Sequence, residues 1–167
     1  MTYKMNNQII GTQQITDTST VQNHPLGTIV TAVDPSLGAG EFIYLKGVAS
    51  TAVGDWVGYS PALGTSVRAI ANGNYPLAVA MSACSTTTLY GWYQISGVAK
   101  ANGLTSITHS SGFLWLTGTA GSVDDASVIG DAIINARKTT TVHVVGTFLD
   151  TYNISRPFST NRVILSN

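Results

Sequence analysis

The sequence is poor in charge, in cysteine and in long apolar runs. Of 167 residues only 10% are Asp, Glu, Lys or Arg, against about 25% in an average soluble domain. Lys and Arg number 8 and Asp and Glu number 8, so the formal net charge is zero. A protein that neutralises phosphates needs a basic excess, so nucleic acid is not an expected partner. A charged disordered tail is excluded on the same ground. Cys84 is the only cysteine, which excludes an intrachain disulfide and a thiolate zinc site. The longest apolar stretch, residues 75–84, falls far short of the roughly 20 residues that span a bilayer as helix, so no membrane partner is expected. Residues 1–14 hold one lysine and no apolar run of signal-peptide length. Synthesis and folding in a cytoplasm is therefore the expectation.

Catalytic and ligating patterns are equally scarce. His24, His109 and His143 are far apart and have no metal-site spacing. Asp124 and Asp125 are adjacent, would point to opposite sides of a strand, and are followed by no calcium-loop pattern. The sequence has no nucleophile elbow, no phosphate-cradling glycine loop with lysine and no dinucleotide fingerprint. Glu41 is the only glutamate and reads beside Gly40 as a turn residue, so no carboxylate pair for glycoside hydrolysis stands out. The expectation is a protein that is not an enzyme and needs no cofactor or metal. The sequon Asn153-Ile154-Ser155 carries no weight without a secretory signal.

What is present is Thr, Ser and Gly among 44% hydrophobic residues. Residues 1–25 are polar and rich in Gln, Asn and Thr, with Met5, Ile9, Ile10, Ile15 and Val21 too sparse for a strand set and without helical period. They read as an extended N-terminal arm. From Leu26 the texture changes to short apolar runs at 27–33, 41–46, 56–59, 67–70, 77–83, 90–95, 112–116 and 142–149, broken by Gly, Asn, Asp and Pro. That pattern predicts an all-β fold, a single small β-barrel or sandwich-like domain over residues 26–167. Ser122 with Asp125 three residues later predicts at most a short helical turn, followed by a hairpin.

A weak internal repeat pairs Phe42-Ile43-Tyr44-Leu45-Lys46-Gly47-Val48-Ala49 with Trp92-Tyr93-Gln94-Ile95-Ser96-Gly97-Val98-Ala99. Each half also carries a Gly-Asp pair entering an apolar run, Gly54-Asp55 and Gly130-Asp131. Glycine supplies the backbone freedom of a tight turn, and the aspartate can accept hydrogen bonds from turn amides. Both pairs are expected at connections just before core strands.

The runs Gly40-Glu41-Phe42-Ile43-Tyr44-Leu45-Lys46-Gly47-Val48-Ala49-Ser50 and Val53-Gly54-Asp55-Trp56-Val57 are followed by Leu77-Ala78-Val79-Ala80-Met81-Ser82-Ala83. Then come Tyr90-Gly91-Trp92-Tyr93-Gln94-Ile95-Ser96-Gly97 and Thr119-Ala120-Gly121-Ser122-Val123-Asp124-Asp125-Ala126. In this order and spacing the chain resembles the capsid decoration, or cement, proteins of tailed bacteriophages. The resemblance covers roughly residues 26–158, and its most specific part is Tyr90 to Ile95. It implies a structural virion protein, made in the host cytoplasm, that sits on the outer surface of the capsid. Such a protein bridges neighbouring copies of the major capsid protein and commonly forms a homotrimer.

Two further expectations follow. A weakly charged chain that exposes Ile9, Ile10 and Ile15 is poorly protected against association, so Met5, Ile9, Ile10, Ile15 and Val21 are candidate contacts with a sister subunit or the capsid. A homotrimer would close such an exchange without free edges. The rival reading is a carbohydrate- or receptor-binding module of a fibre or tail tip, with Trp56, Tyr59, Trp92, Tyr93 and Trp115 as candidate stacking residues. Alternation places Trp92 and Tyr93 on opposite faces, with one of the two expected in the core.

Overall fold

The computed structural model describes residues 3–5, 12–104, 113–127, 129–140 and 143–149. Among the described residues the protein is all-β and antiparallel, without helix. The N-terminal segment contributes β1 (Lys4–Met5) and β2 (Thr18–Ser19). A hairpin of β3 (Ile29–Asp34) and β4 (Gly38–Lys46) follows. Next come β5 (Trp56–Tyr59), β6 (Ser66–Arg68) and β7 (Leu77–Ala80), with β5 between the other two. β8 (Tyr90–Ala99) is the longest strand. The chain then forms β9 (Phe113–Leu116), β10 (Val123–Asp124), β11 (Ala132–Thr140) and β12 (His143–Leu149).

β8 organises the whole arrangement. One edge pairs with β4 from Tyr90↔Lys46 to Gly97↔Gly40. The other edge is shared by β2 at Tyr90 and Gly91, by β7 at Tyr93 and Gln94, and by β12 from Ser96 to Ala99. The strand network therefore forks at β8, one branch running β12-β11-β9-β10 and the other β7-β5-β6. The described order is open at β1, β6 and β10, which makes the domain sandwich-like rather than a closed barrel. The two segments of the weak repeat turn out to be β4 and β8, lying side by side with Ile43 opposite Tyr93.

Alternation along β4 and β8 places apolar side chains on both faces, and both faces are covered. Ile43, Leu45, Tyr93 and Ile95 pack on Val57, Ala78 and Ala80 of β5 and β7. The opposite side of β5 and β7, with Trp56, Leu77 and Val79, packs on Leu114, Leu116, Val123, Ile133 and Ala136. The other face of β4 and β8 presents Phe42, Tyr44 and Trp92, and its cover is the N-terminal segment, through Tyr3 and Ile15. Trp92 and Tyr93 are thus both in the core, because a strand covered on both faces has no solvent side.

The N-terminal segment is consequently no free arm. Ile15 is 1% exposed within its own chain, and Met5 packs half-buried beside it. Gln13 fastens the segment. Its carbonyl accepts from the Trp92 indole (3.0 Å) and its side-chain oxygen accepts from the Tyr44 hydroxyl (2.8 Å). Its amide donates to the carbonyls of Asp17 (2.7 Å) and Tyr90 (3.1 Å). Few apolar residues suffice because these bonds satisfy the polar groups that the aromatic layer would otherwise bury alone. Of the remaining candidate contacts, Val21 is 66% exposed, while Ile9 and Ile10 lie outside the described residues.

Two local expectations are corrected. Ser122 caps no helix: Val123 and Asp124 pair with Leu116 and Trp115, and strand pairing takes up the backbone that a helical turn would need. Glu41 is no turn residue but stands inside β4, paired with Thr31 and Ser96.

Two outcomes are expected from this packing. Ile15→Ala should destabilise the isolated chain by about 2–5 kcal/mol in urea unfolding, as for other buried large-to-small changes; a value near zero would mean that the segment is only loosely attached. Stability should also fall in alkali. Burial pushes the Tyr93 hydroxyl up to about 12, with a Ser66 hydrogen bond acting the other way. Burial raises Tyr3, Tyr44 and the Cys84 thiol as well. Unfolded tyrosine ionises near 10, so the unfolded chain releases its protons first. The Tyr93 contribution is then complete below about pH 10 and is lost as pH rises through about 12. Urea midpoints measured across this range should drop, and Tyr93→Phe should flatten the drop.

Candidate interaction surface

The two Gly-Asp pairs stand where their strands begin. Gly54 has φ +87° and Gly130 φ +91°, and Asp55 and Asp131 immediately precede β5 and β11. Both carboxylates are buried, at 4% and 3% exposure. The Asp55 side chain accepts from the Ala52 amide (3.0 Å), from Arg68 Nη2 (3.0 Å) and Nε (3.2 Å), and from Asn102 Nδ2 (2.9 Å). Arg68 donates onward to the Ala120 carbonyl at 2.6 Å. Asp131 accepts from the Asn72 amide (2.6 Å), and its carbonyl accepts from the Leu116 amide (2.9 Å).

These contacts bring the two turns together on one stretch of chain, residues 68–72. Arg68 holds Asp55, Asn72 holds Asp131, and between them the Ala69 carbonyl accepts from the Gly121 amide while the Ala71 amide donates to the Thr117 carbonyl. The connection from β9 to β10 is thereby clamped from both ends. The sheet that follows has an inner face of Leu114, Leu116, Val123, Ile133 and Ala136.

Its outer face carries the most distinctive exposed group of side chains. Phe113 is 49% exposed and Trp115 half-buried, both on the outward side of β9. The Arg137 guanidinium lies 4.0 Å from the Phe113 ring centre. The Phe113 and Trp115 rings meet edge to face at 6.2 Å. Asp124 stands opposite Trp115 on the neighbouring strand. A cation over an aromatic ring is worth about 0.5–1 kcal/mol at an exposed site, enough to hold Arg137 along the face. Aromatic residues and arginine dominate the energetics of protein interfaces, and contiguous exposed apolar surface marks them. Sequence reading found Trp115 but not Phe113 or Arg137. The signal was the run Phe-Leu-Trp-Leu, apolar at every position although only one face meets the core.

Of the aromatics considered for stacking on sugars, Trp56, Trp92 and Tyr93 are at most 3% exposed; Tyr59 and Trp115 keep accessible surface. Among the described residues no three His, Cys, Asp or Glu side chains gather in a way that could hold a metal ion. No protein-family model matches the chain, and no curated protein or solved structure matches it.

The two glycines predict a graded response. A Cβ on Gly54 would meet Asn102 Oδ1 at 2.9 Å and the Lys100 carbonyl at 3.0 Å, whereas one on Gly130 would meet nothing within 4 Å. Gly130→Ala should cost about 1 kcal/mol, from the left-handed backbone alone. Gly54→Val should cost about 1–3 kcal/mol and more than Gly130→Val. Equal losses in thermal unfolding would contradict this reading of the Asp55 turn.

Proposed function

We propose that the chain is a non-enzymatic structural virion protein that binds the outer surface of a tailed-bacteriophage capsid and stabilises it by bridging neighbouring major capsid proteins. The observation that carries this reading is the outer face of Phe113, Trp115 and Arg137, an aromatic-and-arginine surface on a rigidly clamped sheet. The resemblance of the Tyr90–Ile95 run to decoration proteins supports it, and that run forms the first part of β8, the strand that pairs with β2, β4, β7 and β12. Low surface charge supports it too, because a protein that spends its life covered needs little charge for solubility.

Mechanically, the proposal assigns the core and the outer face different tasks. β4 and β8, buried on both faces, and the Asp55 clamp make the body stiff, so a load taken at one contact passes to the next without local unfolding. Phe113 and Trp115 supply apolar area to the capsid, and Arg137 supplies a directional hydrogen bond. A homotrimer would present this face three times and multiply the avidity.

Recombinant protein should co-sediment with assembled heads of the encoding virus and saturate at hundreds of copies per particle. The double variant Phe113→Ser, Trp115→Ser should weaken that binding by about 30-fold or more, as for loss of interface hot spots. Saturation at a handful of copies, or binding unchanged in the variant, would reject this assignment.

A further inference from the structure

We infer that the open cleft between the β5–β6 turn and the loop entering β7 is a binding site for a neutral saccharide, separate from the proposed capsid-facing surface. The cleft encloses about 370 Å³, within the range of small-ligand sites. Two tyrosines, Tyr59 and Tyr75, line it together with Pro61, Pro76 and Val67. Among the described residues its polar members are Ser60, Thr65 and Asn74, and none of the described lining side chains is charged.

The cleft is built rather than incidental. The Tyr75 hydroxyl accepts from the Ile70 amide (2.7 Å) and donates to the Ile70 carbonyl (3.1 Å), which fixes the ring from its far end. A Cβ on Gly58 would occupy the space of that ring, and a Cβ on Gly73 the space of its hydroxyl. Two glycines are thus cleared for one half-buried tyrosine. Tyr59 backs onto the core cluster of Ile43 and Leu45 and Tyr75 onto that of Trp56 and Leu77, so both walls rest on rigid packing. Backbone bonds from Tyr59 to Pro76 (3.0 Å) and from Ser60 to Thr65 (2.9 Å) tie the walls to each other.

That combination selects the occupant. The C–H faces of a pyranose pack on tyrosine rings, and its hydroxyls exchange hydrogen bonds with neutral side chains such as Asn74, Ser60 and Thr65. A phosphate, carboxylate or cationic ligand would find no opposite charge among the described lining residues. An open, shallow cleft fits one or two sugar rings held at about millimolar affinity.

The test is an amide-shift titration of the full chain with glucose, galactose, mannose and N-acetylglucosamine. At least one sugar should give a saturable response with Kd of about 1 mM, centred on residues 58–61, 65–67 and 74–76. Tyr59→Ala should weaken it about tenfold. Asn74→Ala, an exposed position whose loss leaves the core intact, should weaken it about fivefold. The inference is overturned by no response to any of the four sugars, by a response centred on Trp115, or by affinities unchanged in both variants. Shifts in the cleft that follow protein concentration rather than sugar would assign it to a second copy of the chain, and overturn it equally.

Discussion

The Asp55 carboxylate is the point on which the second half of the domain depends. Its two oxygens accept from the chain before β5, from Arg68 of β6 and from Asn102 after β8. Through Arg68 it reaches the Ala120 carbonyl ahead of β10. Four segments distant in sequence meet at one group that is 4% exposed. A buried carboxylate is costly unless its lone pairs are filled, and here an arginine, a backbone amide and a side-chain amide fill them. Removing any partner leaves the others oriented around an incompletely satisfied charge. The geometry of the clamp is therefore more strictly specified than apolar packing alone would make it.

A second constraint acts on β4 and β8. Strands of alternating large residues, apolar on both sides, cannot stand at the surface of a sandwich; each face needs a cover. β5 and β7 cover one face with small residues, Val57, Ala78 and Ala80, which allow close approach. The N-terminal segment covers the other with Tyr3 and Ile15, and Gln13 supplies the hydrogen bonds that the buried Tyr44 hydroxyl and Trp92 indole need. A similar device appears within β8. The Gln94 side chain, fully buried, donates to the carbonyls of Ser96 (3.0 Å) and Val98 (3.1 Å) where the register with β4 shifts. The Tyr3 hydroxyl joins it at Val98 O (2.7 Å), so the N-terminal segment also supports the bulge.

These constraints bear on the functional proposals in different ways. The outer face of β9 and β11 is held by the clamp, and the Tyr59–Tyr75 cleft is held by the core beneath β5 and β7. Both surfaces are preformed, and binding to either would sacrifice little conformational entropy. They differ in chemistry. One carries Arg137 and Asp124 flanking aromatic rings, the chemistry of the proposed protein contact; among the described residues the other carries neutral polar groups around its tyrosines, the chemistry of the proposed sugar site.

The class of fold was legible in the sequence because it rests on local signals. Period-two alternation and Gly, Asn and Asp punctuation marked the main strands from β3 to β9, and β12. The Gly-Asp pairs marked two left-handed turns, since few other residues tolerate that backbone. What tertiary structure alone decided was where each face found its cover. Residues 1–25 look too polar to pack, yet Ile15 and Gln13 complete an aromatic layer whose need for them arises only once Phe42, Tyr44 and Trp92 share a face. Ser122 and Asp125 carry a helix-start signal, but Leu116 and Trp115 across the sheet recruit the backbone of Val123 and Asp124 into a strand. The exposed group of Phe113, Trp115 and Arg137 exists only because the register of β9 with β11 shifts between Trp115↔Ala132 and Phe113↔Arg137, which brings Arg137 opposite Phe113. Local propensity ranks the conformations of a segment; long-range pairing and burial choose among them, and that choice set both the core and the candidate surfaces.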